Sequence, residues 1–125
     1  MDITPLVPKG RQLVQAYGDG GFRISGTRYE GSVLILPDLT TAWDLRNFSE
    51  LVPHTVQGLI DEAARYAGLL LVGTGSRMLP APKALRILCQ TAGIALEVMD
   101  TGAACRTYNV LLTEERCVAA ALIAV

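Results

Sequence analysis

Asp100, Thr101, Arg106, Thr107 and Asn109 crowd into and just after one strand-to-helix turn, between Glu97-Val98-Met99 and a helix opening at Ala103-Ala104-Cys105. Open α/β sheets place ligands where a strand runs into a helix, because amides at the helix N-terminus point outward there. Asp100 and Thr101 stand where an N-cap would, and both types accept hydrogen bonds from a first helical turn. Arg106 offers a planar fork that matches carboxylate or phosphate. So close to a helix N-terminus its charge opposes the dipole unless it meets an anion, either Asp100 or a ligand. Gly73-Thr74-Gly75 follows another apolar run, and its amides can cradle a phosphate or carboxylate. The fuller phosphate-loop and dinucleotide fingerprints are missing, since no Gly-Lys-Ser/Thr follows and no third glycine sits in register. A tight turn and a ligand-contacting turn both remain open for it. The candidate ligand site is therefore Gly73, Thr74, Gly75, Asp100, Thr101, Arg106 and Thr107. The two turns are expected to face each other, with Arg106 reaching the space between.

Other chemistry is weaker. Cys105 lies early in its helix, where the dipole can lower a thiol pKa, but a nucleophile also wants a base. His54, the single histidine, belongs to a different element. Cys105 therefore reads as packing, and no catalytic residue is assigned. One histidine and scattered carboxylates do not make a metal site, and no cofactor is expected. Arg23 and Arg28 flank a glycine-rich corner that also carries Tyr29 and Trp43, the residue types favoured at protein interfaces. These four form a candidate interface, set against a plainer reading as a polar strand face with core aromatics.

The 125 residues suit one domain, 1–125, with 50% hydrophobic and 18% charged residues and a net charge of -1. That charge argues against nucleic acid, which needs a basic face to displace counterions. Three cysteines, Cys89, Cys105 and Cys117, without C-x-x-C spacing suit a reducing, cytoplasmic compartment. No signal peptide opens the chain, and the apolar run Cys117 to Val125 is too short for a bilayer span of about 20 residues, so direct membrane insertion is not expected.

The elements that must position these residues fall into two textures. Up to about Leu45 the pattern alternates between glycine-marked turns, as antiparallel strands do. Residues 13–17 and 22–25 read as strands around a hairpin at Gly18-Asp19-Gly20-Gly21. Tyr29 to Leu36 reads as one further strand, and Ala42-Trp43-Asp44 as an edge strand. Afterwards the period becomes helical: Val56, Leu59, Ile60, Ala63, Ala64 and Ala67 share a stripe between Pro53 and Gly68. Leu69 to Val72 is apolar on both faces, as buried central strands are. Pro80 and Pro82 introduce a helix that Gly93 stops. Ile94 to Met99, the helix after Thr101, and Val118 to Ala124 complete a βαβαβ half, so the last three strands should share one sheet.

With these residues placed, the chain resembles a widespread family of small single-domain proteins of unknown biochemical function. Its mitochondrial members include an assembly factor for respiratory complex I, and another member is linked to adipocyte differentiation. The matching stretches are Gly21 to Gly26, Tyr29 to Val33, Leu71 to Gly75, Glu97 to Asn109 and Val118 to Leu122. The resemblance implies a three-layer α/β fold with a central mixed sheet, and it implies no catalytic mechanism. Without the N-terminal targeting extension of mitochondrial members, a bacterial cytosolic relative is expected. Two function classes follow. The first is a non-enzymatic interaction or assembly module, whose partner proteins include membrane or respiratory complex subunits. The alternative is a binding protein or enzyme for a small anion, using the crevice above.

Overall fold

A computed structural model of the chain describes residues 11–125, apart from the side chains of residues 53–56 and 66. His54 and Val56, placed above at the start and on the stripe of the first helix, lie outside the described side chains. The described elements run β1 (Val14–Gly18), β2 (Gly21–Ile24), β3 (Thr27–Glu30), β4 (Val33–Leu36), β5 (Leu39–Ala42), α1 (Pro53–Tyr66), β6 (Leu69–Gly73), α2 (Lys83–Ala92), β7 (Ala95–Met99), α3 (Thr101–Thr113) and β8 (Ala119–Leu122). Strands β1-β2-β3 make an antiparallel sheet, and β5-β4-β8-β6-β7 make a mixed one.

Strand β6 pairs in parallel with β7 on one side and with β8 on the other. A right-handed crossover from β6 to β7 and a second one back across β6 to β8 run in opposite directions, which puts α2 and α3 on opposite faces. The alternation of β6 and β8 shows both faces. Leu70, Val72, Ala119 and Ala121 pack with Leu59, Ile60 and Ala63 of α1 and Leu85 and Cys89 of α2. Leu71, Ala120 and Leu122 pack with Ala104, Cys105, Tyr108 and Leu112 of α3 and with Phe22 and Ile24 of the small sheet. The result is the expected three-layer fold about a central mixed sheet. Ala64, expected on the buried stripe of α1, is exposed.

The run Tyr29 to Leu36 is not one strand. Gly31 takes φ +84° and donates its N–H to the Gly20 carbonyl at 2.8 Å, so the chain leaves the small sheet and re-enters the large one. Ser32 anchors the turn, accepting at its carbonyl from the Trp43 N–H and at its hydroxyl from the Ala124 N–H. The edge strand after Pro37-Asp38 also ends earlier than expected, at Ala42. The Trp43 side chain is buried, with Leu45 and Phe48, against the α1–α2 face.

Candidate functional site

Strands β6, β7 and β8 end side by side, and the two turns that leave them meet. Their meeting is a latch of direct hydrogen bonds. Thr101 is wholly buried as the first residue of α3, and its hydroxyl accepts from the Gly75 N–H at 2.9 Å and donates to the Ile123 carbonyl at 2.7 Å. The Thr101 N–H donates to the Gly75 carbonyl, and the Thr74 N–H to that of Met99, both at 2.9 Å. A Cβ on Gly73 would stand 2.9 Å from the Thr101 Cα, so only glycine lets the strand end lie this close. The Thr74 hydroxyl donates to the Arg77 carbonyl at 2.7 Å, tying the turn to its own exit. Asp100 is the N-cap, accepting from the Ala103 N–H at 2.9 Å.

Arg106 departs from the position expected for it. Its Nη1 lies over Gly102 and donates to the Tyr17 hydroxyl of β1 at 3.0 Å. Among the described residues it forms no ion pair with Asp100. Gly102 is what admits the phenol, because a Cβ there would lie 2.8 Å from the Tyr17 oxygen. One turn further along, Asn109 pairs with Val14 like an added rung of sheet, its Nδ2 donating to the carbonyl at 2.7 Å and its Oδ1 accepting from the N–H at 3.1 Å. The Tyr108 hydroxyl donates to the Gln12 carbonyl. Thr107 stays local, its hydroxyl 3.4 Å from the Met99 sulfur. Arg106, Tyr108 and Asn109 thus fasten α3 to the small sheet and the segment that leads into it, while Thr101 fastens it to the large one and Asp100 caps its first turn.

Cys105 is buried, and loss of hydration pushes its thiol up to about 12 despite the neighbouring Arg106. It is protonated near neutral pH and packs as a small hydrophobe. No group of His, Cys, Asp and Glu among the described residues is placed to hold a metal ion. Of the candidate interface, Arg23 and Arg28 are exposed and paired across β2 and β3, and Tyr29 is half-buried. Arg28 bridges to Glu30 at 2.9 Å and donates to the Gly18 and Asp19 carbonyls, which clasps the β1–β2 turn. Trp43 does not join them at the surface, being buried as described above.

Two hollows are formed largely by residues that the sequence did not single out. One is polar, about 270 Å³, and lies at the carboxyl ends of β6 and β8, where Arg46, Ser76 and Arg77 join Thr74 and Gly75 in its wall. The other is largely apolar, about 500 Å³, and lies between α2 and β7, lined by residues that include Met78, Pro80, Ile94, Leu96 and Val98. Strand β7 closes its sheet with no further strand beyond it among the described residues. Met78, at the rim, is 57% exposed. The apolar alternation of β7 is visible in the chain, but nothing in it says that β7, and not β6, is the edge.

Residues 14–123 match the model of a protein family of unknown function, DUF498/DUF598. An uncharacterized protein of Rhodobacter capsulatus is 36% identical over 115 residues, covering 91% of this chain and 86% of that one. The NADH dehydrogenase (ubiquinone) 1 alpha subcomplex assembly factor 3 of Xenopus tropicalis is 32% identical over 112 residues, covering 89% of this chain. The chain spans 60% of that assembly factor's length. Among solved structures, a Mth938-like domain from Bordetella pertussis superposes with a TM-score of 0.79 at 28% identity, covering 98% of this chain and 92% of that one.

Proposed function

The chain belongs to the DUF498/DUF598 family, and from that premise we propose that it is a non-catalytic interaction module serving assembly of a respiratory NADH dehydrogenase. The observation that carries the proposal is the apolar hollow beside the unpaired edge of β7. A strand edge offers a row of free backbone groups, and apolar surface alongside it offers side-chain pockets, which together suit an extended segment of a partner. The partner class comes from the assembly factors among the relatives, and the occupant proposed is an extended apolar segment of a dehydrogenase subunit. The conspicuous polar residues of α3 have their groups turned to partners within the fold, which supports a structural role for them. All three cysteines are free, which supports the cytosolic location expected from the sequence. No helix of the described residues is long and apolar enough to cross a membrane.

Photo-crosslinking in the source organism tests this reading. A benzophenone side chain placed at Met78 or at the exposed Gln90 is expected to capture dehydrogenase subunits, whereas the same group at Gln57 on the outer face of α1 should not. Equal capture from all three positions, or none of a dehydrogenase subunit from Met78 and Gln90, would reject it.

A further inference from the structure

We infer that the polar hollow at the carboxyl ends of β6 and β8 is a binding site for a phosphate-bearing small molecule, held by Arg46 and Arg77. The site is distinct from the β7 edge, and it does not depend on the docking reading.

Four observations converge. The place is the one where sheets with parallel strands bind ligands, beyond the carboxyl ends of adjacent strands. Its wall brings together two arginines from distant parts of the chain, Arg46 from the segment after β5 and Arg77 from the loop after β6, and it contains no Asp or Glu. Among the described residues neither guanidinium has a hydrogen bond or ion pair, so both retain their full capacity for an anion. Finally, the N–H groups of Ser76 and Arg77 are also unbonded. They follow Gly75, whose φ of +113° turns the chain out of the latch. Planar arginine forks and successive free amides are the groups that recognise tetrahedral phosphate oxygens.

Size narrows the class. Pockets for drug-sized ligands run from roughly 300 to 1,000 Å³, and this one holds about 270 Å³. It suits orthophosphate or a phosphate monoester with a small organic group, not a nucleotide. Thr74 and Gly75 of the sequence-derived site do line it, while Asp100, Thr101, Arg106 and Thr107 are absent from its wall.

The test is a titration of the isotope-labelled full chain, followed by amide NMR, with inorganic phosphate and separately with glycerol 3-phosphate. Sodium chloride at matched ionic strength is the control. The Ser76 and Arg77 amides should shift saturably with one or both phosphates, and tighter binding of the ester would assign an organic phosphate as the ligand. Charge-assisted hydrogen bonds are worth about 1.5–3 kcal/mol each, so Arg46→Ala and Arg77→Ala should each weaken binding by roughly tenfold to a hundredfold. Both side chains are exposed, and these variants should keep the wild-type spectrum elsewhere. Arg106→Ala should bind as wild type. Shifts that chloride reproduces, shifts that survive in the Arg46→Ala/Arg77→Ala double variant, or no saturation in the millimolar range would each overturn the assignment.

Discussion

Replacing Thr101 by valine should lower stability by roughly 2–5 kcal/mol, because it strands the Gly75 N–H and the Ile123 carbonyl in a fully buried site. The two side chains have nearly the same shape, so the loss reports the hydroxyl and the buried partners it leaves unpaired. Domains of this size have only about 5–15 kcal/mol in total, and the melting temperature should fall by roughly 8–20 °C. Thr101→Ser keeps both bonds and loses one methyl group, which costs about 1 kcal/mol. Thermal melts of the three proteins check the sequence of effects. A Thr101→Val variant as stable as wild type would mean that the hydroxyl is free for another role, and the latch would lose its basis.

A second large effect is expected at Asn109. Asn109→Asp is isosteric and keeps an acceptor for the Val14 N–H, but it sets an anionic oxygen where Nδ2 now donates to the Val14 carbonyl. A half-buried acceptor facing an acceptor should cost roughly 2–4 kcal/mol. The damage should be local at first, since α3 to β1 is the junction this side chain makes. Hydrogen exchange should quicken most in β1 and β2, by about tenfold for each 1.4 kcal/mol, while β6 and β8 keep their protection. Arg106→Ala removes only an exposed bond to Tyr17 and should cost at most about 1 kcal/mol. If Arg106→Ala proved the more damaging of the two, the assignment of Asn109 as the main fastening of the small sheet would fail.

These residues also show why the fold was more legible than the site. Leu69 to Val72 and Val118 to Ala124 announce buried strands because burial on both faces leaves a local signature, an unbroken apolar run. Gly31 breaks the run from Tyr29 to Leu36, yet an isolated glycine in a strand pattern does not reveal whether it takes a positive φ. The polar residues after Met99 were legible as a turn and a cap, and Asp100 is one. Their partners were not legible. Asn109 and Val14 are 95 positions apart, Arg106 and Tyr17 are 89 apart, and no spacing rule reaches so far. The polar hollow is harder still, since Arg46 and Arg77 meet only after β5, β6 and β8 have been ordered in the sheet.

The central claim, an interaction module for dehydrogenase assembly, is tested most directly by deleting the gene in the source organism. The measurement is the amount of fully assembled NADH dehydrogenase in native gels of its membranes. A marked fall is expected, restored by the wild-type gene and by Arg106→Ala but not by Met78→Asp, which puts a charge at the rim of the apolar hollow. An unchanged level of assembled enzyme in the deletion strain would contradict it.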